Sequence, residues 1–178
     1  MAAGSHGDEA KCCPLRQLEG VFARMVQPLL PAPAAETALG AHLTETGAHF
    51  ALWAPRATRV ELALLDKDHQ QANCDMTLGD GGVWQIDVPG LRAEQLYGFR
   101  VHGLWDPKTG QRFNPARLLL DPYAKAITGG VDYSGPIHDH TSESDYLPDP
   151  TDSSAAVPWS VLVASTPAPQ PLAAPIDP

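Results

Sequence analysis

Short alternating runs occupy the middle of the chain. Phe50, Leu52 and Ala54 alternate with Ala51 and Trp53 before Pro55 ends the run, a two-residue period that sends the two sets to opposite sides of a strand. Val60, Leu62 and Leu64 alternate with Arg59, Glu61 and Ala63, which predicts a half-buried strand with a charged outer face. Cys74, Met76 and Leu78 share a face ahead of the turn residues Gly79-Asp80-Gly81-Gly82, and Trp84, Ile86 and Val88 alternate up to Pro89-Gly90. Tyr97, Phe99 and Val101 then point one way while Gly98, Arg100 and His102 point the other. Turn signals at intervals of roughly ten residues between such strands predict an all-β, antiparallel sandwich over residues 39–127, rather than a parallel α/β sheet.

The flanks follow other rules. Leu15, Leu18, Phe22, Met25 and Leu29 recur at helical spacing, with Arg16, Glu19 and Arg24 off that face. This stretch reads either as a docking helix or as a helix that packs on its own domain or frays; with no second helix in the pattern, the latter is preferred. Pro28, Pro31 and Pro33 end it and make residues 1–38 an extension with a proline-rich linker. Past Asp121 the pattern thins. Ala124 to Ile127 reads as a last strand or a helical turn, residues 128–165 as a loop-rich segment with a short apolar piece at Ser160 to Val163, and residues 166–178 as a proline-rich tail.

Residues 97–123, YGFRVHGLWDPKTGQRFNPARLLLDPY, carry the densest chemistry. A strand ends at His102-Gly103, a polar loop presents Trp105, Arg112 and Asn114, and Leu118-Leu119-Leu120 runs into Asp121-Pro122. An indole, a guanidinium and amides beside a rigid sheet are the usual ingredients of a binding surface.

This stretch closely resembles the N-terminal domain of bacterial glycogen debranching enzymes of the isoamylase type, in the α-amylase superfamily (glycoside hydrolase family 13). Leu104 stands where that family has proline and Arg117 where it usually has lysine; the other signature positions match. The resemblance extends to Leu39-Gly40-Ala41 and to Phe50-Ala51-Leu52-Trp53-Ala54-Pro55, and more weakly to Ser160-Val161-Leu162-Val163. It implies an immunoglobulin-like β-sandwich of the early-set type, also classed as a carbohydrate-binding module of family 48. It also implies a parent enzyme that hydrolyses α-1,6 branch linkages of glycogen or related α-glucans, with a catalytic (β/α)8 barrel normally in the same chain. Such a barrel needs roughly 250 residues, so no catalytic residue is assigned and this chain alone is expected to be inactive. The alternative is a free-standing glucan-binding or regulatory module without catalysis. A trehalose-releasing hydrolase or a pullulanase as parent is argued against by Arg112-Phe113-Asn114-Pro115 and the run from Leu118 to Tyr123.

Five residues are candidates for substrate binding or for the interface with a barrel: Trp105, Arg112, Asn114, Arg100 and His102. Sugars stack their C–H face on an indole while amides, carboxylates and Arg take the hydroxyls, which makes Trp105 the natural platform. In glycogen-targeting modules of the same fold a lysine follows the strand tyrosine; here Gly98 stands in that place. Packing of Trp105, Arg112 and Asn114 against a barrel, or bracing of its linker, is therefore preferred over direct sugar contact. In that reading Trp105 of the isolated domain is open to solvent. Arg100 and His102 sit on the outward strand face, where solvated positions are the commoner outcome. Trp53 and Trp84, inside strand patterns, default to core or sheet-face packing.

Charge and composition narrow the partners. A formal net charge of -9 argues against nucleic acid or an anionic membrane surface, and no apolar run is long enough to span a bilayer. The first residues lack a basic and an apolar signal region, and three cysteines, two adjacent at Cys12-Cys13, do not form a disulfide framework; a cytoplasmic protein without cofactors is expected. His138-Asp139-His140 offers two histidines without a further ligand at metal spacing, so no metal site is assigned.

Overall fold

Alternation becomes strand pairing wherever both faces find a neighbour. The computed structural model describes residues 38–164; the expected helix at the N-terminal side and the proline-rich tail lie outside them. In chain order the strands are β1 (Gly40–Leu43), β2 (Gly47–Trp53), β3 (Arg59–Leu65), β4 (Gln71–Asp75), β5 (Thr77–Leu78), β6 (Val83–Pro89), β7 (Leu96–His102), β8 (Trp105–Asp106), β9 (Gln111–Arg112), β10 (Ala126–Thr128), β11 (His140–Thr141), β12 (Ser144–Pro148) and β13 (Trp159–Val161). One sheet runs β1-β2-β6-β5 and the other β10-β13-β7-β3-β4, all antiparallel, with β11-β12 and β8-β9 as separate hairpins. The described residues contain two sheets, two short 3-10 turns and no α-helix, an antiparallel sandwich of the early-set immunoglobulin-like kind.

The alternating sets meet between the sheets. Phe50, Leu52 and Trp84 from one sheet face Val60, Leu62, Tyr97, Phe99 and Val101 from the other. Phe50 meets Tyr97 edge-on at 5.1 Å, and Tyr97 meets Phe99 at 6.0 Å, the geometry the ring quadrupoles prefer. Trp84 hides its polar atom by donating Nε1–H to the Ala54 carbonyl at 3.0 Å. Burying each of these large side chains contributes about 1.5–3 kcal/mol, so the core alone accounts for the register.

Two sequence expectations change. Cys74, Met76 and Leu78 do not share one strand: Asp75 still pairs with Glu61 of β3, the Met76 amide bonds the Val60 carbonyl, and Thr77 pairs with Gln85 of β6. The chain switches sheets at Met76, whose side chain drops into the core while Leu78 is left exposed. The second change concerns Trp159–Val161, which the pattern left in the loop-rich segment. It forms β13 between β10 and β7, with Ser160 opposite Tyr97, and Leu162 beyond it is fully buried.

The outer face of the second sheet is covered as well. Ala63, Leu118 and Trp159 form a smaller apolar cluster there, joined by Leu65, Leu96 and Val157. The chain crosses β7 at this point, and Phe99 and Leu119 exchange both backbone hydrogen bonds, at 2.9 and 2.8 Å. Just beyond, Tyr97 donates its hydroxyl to Asp121 Oδ2 at 2.8 Å while the Asp121 amide donates to Ser160 Oγ at 3.0 Å. Burial pushes the Tyr97 phenol well above its usual range, with the neighbouring Asp121 carboxylate adding to it, so the hydroxyl stays a donor. This cluster ties β7, the crossing segment and β13 together.

Candidate functional site

The signature loop folds back on itself as soon as β7 ends. Gly103 gives Phe113 room: a β-carbon there would stand 2.5 Å from Phe113 Cγ. Beyond it Trp105 pairs with Arg112 and Asp106 with Gln111, and Gly110 closes the hairpin at φ 78°, a left-handed position that favours glycine. The pairing brings the Arg112 guanidinium over the Trp105 ring, 5.3 Å from its centroid, a cation–π contact. Trp105 Nε1 donates to the Tyr146 carbonyl at 2.8 Å. The indole is thus half-buried and held from both sides, rather than open to solvent.

Arg112, Asn114 and two further arginines reach for the same segment, residues 136–152. Arg112 binds Asp139 through two hydrogen bonds, Nε to Oδ2 at 2.6 Å and Nη2 to Oδ1 at 3.1 Å. Those bonds hold the Asp139 carboxyl down at about 2 against the opposing effect of burial, with His140 assisting. Asn114 is buried and spends its amide on the Asp139 and Asp149 carbonyls, at 2.9 and 2.8 Å, while its oxygen accepts from the Ala116 amide. Arg117 donates to the Pro136 and Asp149 carbonyls and lies 2.8 Å from the Asp149 carboxylate. Charge-assisted bonds of this kind are the strong ones.

Arg100 departs from its expectation. It is 4% exposed, because the residues after Asn114 pass over the face that alternation marks as outward. Its guanidinium donates to the Pro115 and Ala116 carbonyls at 3.0 and 3.2 Å, to Gln71 Oε1 at 3.1 Å, and to Asp152 at 2.6 Å. His102 stands apart, partly buried, with Nε2 3.3 Å from Glu61 Oε2. The structure therefore gathers Trp105, Arg112 and Asn114 on one segment, adds Arg117 and Arg100, and leaves His102 at another place. In the His138-Asp139-His140 run, the central carboxylate is taken by Arg112 and His140. Among the described residues no group of three or more His, Cys, Asp or Glu side chains is placed to hold a metal ion.

The open space lies next to this braced region. A cleft of about 520 Å³ is lined by Leu52, Trp53 and Arg56, by Phe99, Val101 and Phe113, and by Arg112, Asp139, Leu119 and Leu120. Its chemistry is apolar with a few charges at hand. Trp53, 38% exposed, donates Nε1–H to the Gly81 carbonyl at 3.0 Å, which fixes the plane of an indole open to water. Leu119 and Leu120 are exposed too, at 45% and 36%. Such a surface accepts the C–H face of a sugar ring or the apolar side of another protein element.

Residues 38–124 match the family carbohydrate-binding module 48 (isoamylase N-terminal domain). This segment belongs to that family. The module is related to bacterial glycogen debranching and pullulanase-type enzymes. Over 125 residues the chain is 42% identical to the glycogen debranching enzyme of Erwinia tasmaniensis, a match covering 70% of this chain and 18% of that enzyme. Among solved structures it is similar to a pullulanase from Anoxybacillus sp. LM18-11 complexed with maltotetraose, at 22% identity, 79% of this chain, 16% of that one and a TM-score of 0.47. It is also similar to the maltotriose complex of a PulA variant from Klebsiella pneumoniae, at 27% identity, 49% of this chain, 10% of that one and a TM-score of 0.41. The chain thus spans less than a fifth of the debranching enzyme it matches. The described residues hold the module and contain no (β/α)8 barrel, nor any helix long and apolar enough to cross a membrane.

Trp53, Leu119 and Leu120 were not among the sequence candidates. The signal for Trp53 was present, since alternation with Phe50, Leu52 and Ala54 puts it on the outer face of β2. Leu119 and Leu120 read as core because the run is apolar; only the backbone exchange between Leu119 and Phe99 turns them outward.

Proposed function

We propose that this module is the N-terminal accessory domain of a cytoplasmic glycogen debranching enzyme that hydrolyses α-1,6 branch linkages, and that the cleft beside Trp53 is its contact face. The observation that carries this reading is the 42% identity to a glycogen debranching enzyme, which runs over more residues than the module match alone. The role of the signature residues follows from their bonds. Trp105, Arg112, Asn114 and Arg117 hold residues 136–152 against the sandwich, and that segment leads into β13, from which the chain leaves the domain. A barrel attached there would be aimed by these bonds. Residues 38–164, exchanged for the matching segment of the Erwinia tasmaniensis enzyme, should preserve release of reducing ends from glycogen. The 178-residue chain alone should release none. A folded but inactive chimera would count against the accessory role.

A free-standing glucan-binding module is the second reading, and one observation favours it: the exposed, hydrogen-bond-oriented indole of Trp53 beside Arg56, Arg112 and Asp139. Titration of the chain with maltoheptaose separates the two. The accessory reading expects binding too weak to measure at micromolar concentrations. Micromolar affinity that disappears in Trp53→Ala, and survives in Trp105→Phe, would establish the second.

A further inference from the structure

The cleft presents Trp53, Leu119 and Leu120 to water at the place where the chain enters the fold. Gly40, at the start of β1, pairs with Ala51, so the residues just before it lie alongside Leu52 and Trp53 at the end of β2. A β-carbon on Gly40 would stand 2.7 Å from Tyr123 Cβ, next to Pro122, which also lines the cleft. The preceding segment therefore arrives at the rim of the apolar surface.

What precedes it has the matching pattern. Leu15, Leu18, Phe22 and Met25 fall on one helical stripe that ends before Pro28, an apolar face with no partner of its own. The tether from Pro28 to the described residues is about ten residues and spans at most about 33 Å when extended. Such a short tether keeps the stripe at an effective concentration on the order of millimolar beside the cleft. The tail after residue 165 has no comparable stripe; its apolar residues are mostly alanines set among prolines.

We propose that residues 15–27 dock as an amphipathic helix on the cleft at Trp53, Leu119 and Leu120, with Phe22 and Met25 as its central side chains. The segment is then a built-in cover of this face. Glucan or barrel reaching the cleft has to displace it. The inference concerns the same cleft as the proposed function but does not depend on what the cleft binds.

Hydrogen–deuterium exchange of the full 178-residue chain tests it. Amides of residues 15–27 should be protected roughly tenfold or more over unstructured rates, independently of protein concentration. Protection should be lost in Phe22→Asp/Met25→Asp and equally in Leu120→Asp or Trp53→Ala, two changes at exposed positions that leave the core intact. Exchange of the segment at unstructured rates in the unaltered chain overturns the proposal. So does protection that persists in both Leu120→Asp and Trp53→Ala, which would seat the segment elsewhere. Protection that falls on dilution assigns the cleft to a second copy and overturns the intramolecular cover.

Discussion

Gly98 lies directly beneath Leu118. A β-carbon on Gly98 would stand 2.9 Å from Leu118 Cδ1 and 3.1 Å from the Leu119 carbonyl oxygen. The glycine is required by close approach, since it is the place where the crossing segment touches β7. A lysine at this position, as in the glycogen-targeting modules, would lift that segment from the sheet. The missing cation and the buried crossing are two sides of one choice.

Gly98→Ala should therefore destabilise the domain by about 1–3 kcal/mol, the usual range for overpacking a filled site. Gly98→Lys should be worse and should expose Leu118. Chemical denaturation measures the first; unchanged midpoints would mean the crossing yields freely.

Arg100 and Asp152 form an unequal pair. Arg100 is buried, whereas the Asp152 side chain is 58% exposed. Arg100→Leu strips donors from the Pro115 and Ala116 carbonyls and should cost about 2–3 kcal/mol. Asp152→Asn leaves a solvated partner and should cost under about 1 kcal/mol. Equal losses in the two variants would contradict the unequal burial.

Acid should find the Arg112–Asp139 contact. The Asp139 carboxyl sits at about 2 in the fold against an ordinary 3.8, so the unfolded chain takes up its proton first as pH falls. The contribution is complete above about pH 5, shrinks below that, and is gone once pH passes below 2. Asp139→Asn should lower stability near neutrality by on the order of 1 kcal/mol, since the pair is partly open to water. The difference from the unaltered chain, followed by urea unfolding, should close between pH 5 and pH 2. A gap that stays constant down to pH 2 would assign the effect to something other than this charge.

Truncation tests the reach of the sandwich. A chain ending at residue 128 loses β13 and Leu162, which is fully buried and exchanges backbone bonds with Glu94 and Gln95. It should unfold without a cooperative transition, whereas a chain ending at residue 164 should keep one. Calorimetry of the two decides.

The strands that were legible are those where a two-residue period lasts long enough to be seen. In β2, β3, β6 and β7 the inward sets, from Phe50 to Val101, are the ones found between the sheets. Periodicity assigns a residue to a face but does not say what covers that face. Arg100 alternates outward correctly and is still buried, because residues 114–119 pass above it. Nor does it register a change of sheet: Cys74, Met76 and Leu78 keep the period while the chain bends away between them. β13 spans three residues, too few to show any period. At the site, residue types pointed to Trp105, Arg112 and Asn114, and the structure joins those three. Their partners were illegible, since main-chain carbonyls at Asp139, Tyr146 and Asp149 leave no trace in side-chain chemistry.

The seat of β13 between β10 and β7 sets a timetable for synthesis. Tyr97 emerges from the ribosome long before Ser160, the residue it faces. Until then β7 has an open edge on that side, a row of unpaired amides and carbonyls that can pair with another chain. Residues 129–158 have to pass before that edge is sealed. A pause in translation within them would hold the nascent sheet half closed, with Tyr97 and Asp121 still waiting for Ser160.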